Sequence, residues 1–433
     1  MVRGDTLAQR RLNRRQGEKP MPRVLVCTVG GSCQPIVAAI RDYMPDFVYF
    51  IASAQSRATV DGEGRPCKQY NGEDLPAIVK QAGFSPEQYE ILELTDPDSL
   101  STCYAEMSQA LANVATRFPD AEHIVDYTGG TKTMSVSLVL AALDGNWKVS
   151  LVKGTRTDLV RVADGTEIAA LVNIGEVRAR RRLQEVRALF NTYEYRAAEN
   201  LIRALLQSAP LSVPLQQLLR EWTALCRGFD AWDRFDHARA EELLRPHAKT
   251  LGPVWRFLLA LQGKGKHSGY EPVFDLLRNA ERRAESGRYD DAVARLYRAV
   301  EMLAQIRLRR EYGQETGDID VARLPESLRA KYEALRDEDG KVRLALMRAY
   351  DLLHDLDDPL GQAFAQQKKK ILNALKRRNA SILAHGTEPL SEREWREVRE
   401  VLQGFIEETC KAMKVHVDAP QFPRLNEQNE LDI

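Results

Sequence analysis

The sequence predicts a doubly wound, mostly parallel α/β domain followed by an all-helical half. Three observations carry this. Short runs rich in Val, Ile and aromatic residues alternate with helix-length segments up to about residue 172, the rhythm of β-α-β crossovers. The first of these runs are apolar at nearly every position, as strands covered on both faces must be. After about Gly175 the strand signal stops, and apolar residues recur at spacings of three and four.

The elements follow in chain order. The first 20 residues are basic and lack an apolar stretch, so 1–21 reads as a disordered arm and not a secretory signal, with Met21 a candidate start. Strands are expected at "RVLVCTVG" (23–30), "FVYFIAS" (47–53), "YEILELT" (89–95), "HIVDYTG" (123–129) and "KVSLVKG" (148–154). A further pair over 159–172 carries a hairpin signal at Asp164–Gly165. Helices over 35–43 and 99–118 lie between the first four strands.

In the helical half, "ALFNTYEYRAAENLIRALL" and "RAESGRYDDAVARLYRAVEMLA" look alike. Each is a helix, a short break, a tyrosine near an acid, and a second amphipathic helix. Val293, Leu296, Val300 and Leu303 mark one apolar face of the second copy. Two imperfect copies are too few for a solenoid, so a helical linker and a helical bundle are expected. The tail over 416–433 is polar and broken by prolines, and is expected to be unstructured.

Composition bounds the function. A chain of 433 residues suggests two or three domains, and 44% hydrophobic residues are enough for real cores. Lys plus Arg and Asp plus Glu both total 62, so only local patches can speak for a polyanionic partner. The six cysteines are scattered without C-x-x-C pairs and read as reduced thiols of a cytosolic protein. No apolar run approaches the roughly 20 residues of a membrane span.

Two stretches point to chemistry. "VDYTGGTKTM" (125–134) ends a strand in a glycine turn that carries a lysine. It is not a P-loop, because Thr131 and not glycine precedes Lys132, and it is not a G-x-G-x-x-G loop. With "TVGGSCQP" (28–35) it forms a pair of glycine turns at carboxyl ends of strands, where parallel sheets bind ligands. Glycines let backbone amides approach phosphates, and Lys132 supplies charge. Turns that only pack are the plain alternative.

The second stretch is "KKKILNALKRRNASILAHGTEPLSEREW" (368–395). Lys368 to His385 reads as one helix capped by Gly386, and Ser391 with Glu394 as the capping box of the next. Arg378 and His385, seven apart, would share one face two turns apart. An arginine can hold a phosphate bidentately, and an imidazole can move a proton to or from a ribose oxygen. Asn379 could orient either. Lys368, Lys369, Lys370, Lys376 and Arg377 add a positive field suited to a polyanion. The Arg…His spacing alone also arises by chance on helices, and a basic run is usually a solvated face.

Arg378-Asn379 followed by His385 resembles the R-N-x(5)-H form of the HEPN ribonuclease motif, and "GRYDDAVARLYRAVEMLAQ" (287–305) resembles that domain's first long helix. The N-terminal half resembles a CARF domain, a Rossmann-like sensor of cyclic oligoadenylates, with Asp126, Thr128 and Lys132 matching its [DN]-x-[ST]-x-x-x-[KR] pattern. The order resembles the type III CRISPR ancillary ribonucleases over about residues 23–415. The resemblance implies a CARF-like domain (22–175), a helical linker domain (176–270) and a HEPN-like domain (271–415).

It implies further a homodimer, with no metal and no membrane, that is activated by cyclic tetra- or hexa-adenylate and cleaves single-stranded RNA. Arg378, Asn379 and His385 would be catalytic, and Lys376 and Arg377 would touch RNA. The activator would meet Thr28, Gly30, Gly31, Ser32, Gln34, Asp126, Thr128, Gly129, Gly130, Thr131 and Lys132. The rival reading is a non-enzymatic, nucleotide-responsive helical scaffold that binds a partner protein.

Overall fold

The computed structural model describes residues 21–68, 74–154, 166–208, 211–379, 387–428 and 431–432. The arm over 1–20, the Asp164–Gly165 turn and His385 with Gly386 lie outside the described residues. The chain divides into two compact units, Met1–Arg180 and Arg181–Ile433, so the expected linker and bundle fall in one unit.

The first unit is the expected sheet. Its strands are β1 (Arg23–Val29), β2 (Phe47–Ala52), β3 (Tyr89–Glu93), β4 (Glu122–Asp126), β5 (Lys148–Lys153) and β6 (Ile168–Val172). They lie in the order β3-β2-β1-β4-β5-β6, parallel throughout except for β6, which runs antiparallel to β5. The helices include α1 (Gln34–Tyr43), the short α2 (Arg57–Asp61) and α3 (Ile78–Ala82), α4 (Leu100–Arg117) and α5 (Lys132–Asp144). The near-continuous apolar character of β1 has the expected cause. Leu25, Cys27 and Val29 enter one core with Ile36 and Ile40 of α1. Val24 and Val26 enter another with Met107 of α4 and Leu138 of α5. Side chains alternate across a strand, so two covered faces need apolar residues at both phases.

One expectation about this unit is corrected. Cys33 and Cys67 are joined in a disulfide, while Cys27, Cys103, Cys226 and Cys410 are free and buried. Their separation of 34 residues hid the pairing, since only the fold brings the two together.

The second unit is helical: α6 (Gly175–Asn191), α7 (Tyr195–Ser208), α8 (Val213–Asp233), α9 (His237–Leu244), α10 (Ala248–Leu261), α11 (Glu271–Glu285), α12 (Tyr289–Tyr312), α13 (Glu326–Glu333), α14 (Leu346–Asp355), α15 (Pro359–Asn379) and α16 (Glu392–Ala412). The two look-alike stretches are helix–turn–helix units, and a third joins them at "FDHARA" (235–240). Each turn has a left-handed residue, Tyr193 (φ 63), Phe235 (φ 64) or Gly287 (φ 71). The next amide bonds back to a carbonyl of the first helix: Glu194 to Leu189, Asp236 to Ala231 and Arg288 to Arg283, all at 2.9 Å. These are Schellman-type stops that satisfy carbonyls at the helix end. Ala198, Ala240 and Ala292 stand at the same place after each turn, fully buried, where only a small residue permits close packing. The third copy escaped the sequence reading because its left-handed residue is a phenylalanine and its second helix is short.

The tail corrects another expectation. Ala419, Phe422 and Leu425 are buried, and β7 (Arg424–Leu425) pairs with β8 (Leu431–Asp432). The Phe422 ring lies 4.9 Å from those of Phe229 and Trp232, with the Arg282 guanidinium 3.6 Å above it. Arg278 donates to the Ala419 carbonyl and Asn191 to that of Leu425, so an extended, proline-broken segment finds its backbone partners in side chains. Three apolar residues spaced by three were enough to anchor it. Among the described residues, no helix is long and apolar enough to cross a membrane.

Candidate functional site

Residues singled out by the sequence occur in both units. In the first, β1 and β4 are neighbours whose following helices cover opposite faces of the sheet. This is a topological switch point, where a crevice opens beyond the strand ends. The two glycine turns meet there, backbone against backbone. A Cβ at Gly129 would lie 2.3 Å from the Thr28 carbonyl oxygen, and one at Gly30 would lie 2.6 Å from the Gly130 nitrogen. Any side chain at either position would push the turns apart.

Several residues expected to touch a ligand are hydrogen-bonded within the turns. Thr28 is fully buried and its hydroxyl donates to the Gly129 carbonyl at 2.7 Å. Buried Asp126 accepts from the Thr128 amide at 3.1 Å and from the Ser150 hydroxyl at 2.7 Å. Thr128 Oγ1 accepts from the Val152 amide at 2.8 Å. Burial pushes the Asp126 carboxyl above the usual carboxylate range, and the hydrogen bonds from Thr128 and Ser150 oppose that shift. Asp126→Ala would leave two donors without their acceptor. The first unit should lose about 1–3 kcal/mol of stability, read by urea unfolding; an unchanged midpoint would reject this role.

The remaining predicted residues lie in the same two turns and at the starts of α1 and α5. Gly31 and Ser32 are exposed, and Gln34 opens α1. Gly130 takes a left-handed φ of 83°. Thr131 caps α5, accepting from the Met134 amide at 3.2 Å and donating to the Pro97 carbonyl at 3.0 Å. Lys132 is exposed in the first turn of α5 and makes no ion pair among the described residues. The uncapped amides and dipole of a helix start suit an anion. Sequence reasoning missed Ser135, whose hydroxyl donates to the carbonyls of Tyr127 and Gly129, and Ser150, which holds Asp126 from β5. Ser135 sits inside an apolar run, and neither serine carries a motif.

In the second unit, α15 starts nine residues before the expected Lys368. Buried Asp358 explains the early start: it accepts from the Leu360 amide at 2.9 Å, Arg307 Nε at 2.8 Å and the Tyr312 hydroxyl at 3.0 Å. Leu360, Phe364, Ile371, Ala374 and Leu375 form the buried face of α15. Lys369, Lys370 and Lys376 are exposed, and Lys368 pairs with Asp351 at 3.0 Å. The backbone of α15 runs through Arg377, Arg378 and Asn379, whose side chains lie outside the described set, as does all of His385. The expected shared face of Arg378 and His385 is therefore not among the described features. Beyond the gap, the Leu390 amide donates to Asp290 of α12 at 3.0 Å, and Ser391 with Glu394 forms the expected capping box of α16.

Comparison with known proteins fits this arrangement. The Csm6 HEPN domain matches residues 262–409 and the Csm6 6H domain matches 179–253. The second accounts for the helices before residue 270 that carried no recognisable motif. No curated protein matches the chain. Among solved structures, Enterococcus italicus Csm6 bound to cyclic hexa-2'-fluoro-hexa-dAMP shares the fold at TM-score 0.57 and 14% identity, covering 92% of this chain and 96% of that one. Can2 from Sulfobacillus thermosulfidooxidans in complex with cyclic tetra-adenylate is 12% identical, covers 68% of this chain and 70% of that one, and at TM-score 0.21 carries no argument. With two domains of one family matched in order over more than half of its residues, behind a parallel-sheet unit, the chain belongs to the Csm6 family of CARF–HEPN ribonucleases of type III CRISPR systems.

Proposed function

We propose that the chain is a cyclic-oligoadenylate-activated endoribonuclease that cuts single-stranded RNA without a metal ion, as a cytoplasmic homodimer in antiviral defence. The observation that carries this reading is that R-N-x(5)-H, from Arg378 to His385, falls inside the span of the Csm6 HEPN match. His385 takes the proton of a ribose 2′-hydroxyl or returns one to the leaving 5′-oxygen. Arg378 holds the phosphate and the charge that develops on it, and Asn379 orients the pair. Lys376 and Arg377, with exposed Lys369 and Lys370, draw the strand in. One Arg–His set per chain is half a site, completed across a two-fold axis.

The activator is a ring of adenylates at the crevice of β1 and β4. Its phosphates meet the amides of the two glycine turns, the start of α5 and Lys132, while Thr28, Asp126 and Thr128 hold those turns in place. A two-fold dimer suits a ring with an even number of adenylates. Slow cleavage of the ring by the same loops is a second activity of this reading, checked by following the ring with the His385→Ala protein.

The deciding experiment is cleavage of single-stranded RNA in EDTA, with and without cyclic tetra- or hexa-adenylate. The products should end in a 2′,3′-cyclic phosphate or 3′-phosphate and a 5′-hydroxyl. A 5′-phosphate, or a strict magnesium requirement, would contradict attack by the 2′-oxygen. Ring binding with no cleavage under any condition would favour the scaffold reading, which the three like helical turns make reasonable.

A further inference from the structure

Between α10 and α11 the chain reads "QGKGKHSGY" (262–270), a basic loop with Gly263, Gly265 and Gly269 all at positive φ. The loop, the exposed side of α10 and residues 416–418 enclose a cavity of about 310 Å³. Arg256, Lys266, His267 and His416 line it, together with Phe257 and Ala260. All four basic residues are exposed, and none makes an ion pair among the described residues. Elsewhere in this unit Arg282, Arg283, Arg307 and neighbouring Lys264 are spent on carboxylates.

Two acids, Glu271 and Asp418, share the lining. Glu271 accepts from the amides of Ser268 and Gly269, so its carboxylate is engaged in shaping the loop. Asp418 is the remaining acid. His267 is oriented, because its Nδ1 donates to the Gly265 carbonyl at 2.9 Å. The amides of Gly265, Lys266 and His267 donate no hydrogen bond among the described residues. Successive free amides next to glycines at positive φ form a concavity suited to an anion.

We propose that this cavity is a phosphate-binding site, separate from the glycine turns of the first unit and from the Arg378–His385 motif. It would grip a phosphate between the Arg256 fork, Lys266 and the free amides of the loop, with the two imidazoles beside it. A diester in an RNA strand and the phosphate of a free nucleotide share this chemistry. The proposal stands whether or not the protein cleaves RNA, since it concerns binding alone.

The test uses the full chain with histidine ring carbons labelled. Inorganic phosphate and AMP are titrated by NMR, and a fully 2′-O-methylated single-stranded RNA, which lacks the attacking hydroxyl, by fluorescence anisotropy. Phosphate should move the His267 and His416 resonances in the native protein and not in Arg256→Glu/Lys266→Glu. Arg220→Glu/Lys249→Glu carries the same change of charge outside the cavity and serves as control. If RNA is the source, the cavity pair should weaken it about tenfold or more beyond the control, and the slope of log affinity against log salt should fall by about 1.4. If RNA binding is unchanged while the phosphate shifts vanish, the site takes a free nucleotide. Should the charge reversals unfold the protein, Arg256→Gln/Lys266→Gln gives the same comparisons at smaller amplitude. Unmoved resonances together with an RNA effect no larger than the control's would overturn the proposal.

Discussion

His385→Ala should reduce activator-dependent RNA cleavage by about 10²–10⁴-fold, the usual cost of removing a general acid–base. The activator should still bind, because its expected site lies in the other unit, at the turns after β1 and β4. The variant should therefore keep its ring affinity and its melting temperature and lose only the chemistry. Arg378→Ala should be similarly damaging, and Arg378→Lys should rescue little, since a point charge does not replace a planar fork. Full activity of the alanine variant at His385, with contaminating nuclease excluded, would end the catalytic assignment.

Lys132→Ala should shift the activation curve and leave the chemistry alone. The residue is exposed at the start of α5, beside Gly129 and Gly130 and free of ion pairs among the described residues, so its ammonium is available to a ring phosphate. Losing one charge-assisted contact costs roughly 1.5–3 kcal/mol, or on the order of tenfold to over a hundredfold in activator affinity. A ring on a two-fold axis would lose the contact twice, and the shift would be larger. The plateau should return at saturating ring, and basal cleavage should be unchanged. A lowered plateau or basal rate with normal ring binding would show that the two sites are not divided as proposed.

The serine and threonine network gives the contrasting case. Asp126 and Thr128 match the ligand pattern as well as Lys132 does, and Thr28 opens the other glycine loop, yet their polar atoms are bonded within the fold. A substitution there should lower stability and ring affinity together, whereas Lys132→Ala should lower only the second.

Periodicity by itself determined the alternating β-α order, the covered faces of the first strands, the switch to helices after Gly175 and the capping box at Ser391. These are local properties: a two-residue or 3.6-residue repeat, or a cap three residues from its partner, is written within one stretch of chain. The glycine turns and the R-N-x(5)-H stretch were legible for the same reason, as residue types at short spacing. The sequence also suggested that the tail would be unstructured and the cysteines unpaired, and in both places the tertiary structure decided otherwise. Phe422 finds its place only because Phe229, Trp232 and Arg282 create a pocket some 140 to 190 residues upstream. Cys33 lies just before α1 and Cys67 follows α2, so only the packing of these segments brings the two sulfurs together. The same holds for which threonines are hydrogen-bonded inside the fold. Hydrogen bonds across β1, β4 and β5 answer that question, and pairings between distant segments depend on strand order and helix packing, which no local repeat encodes.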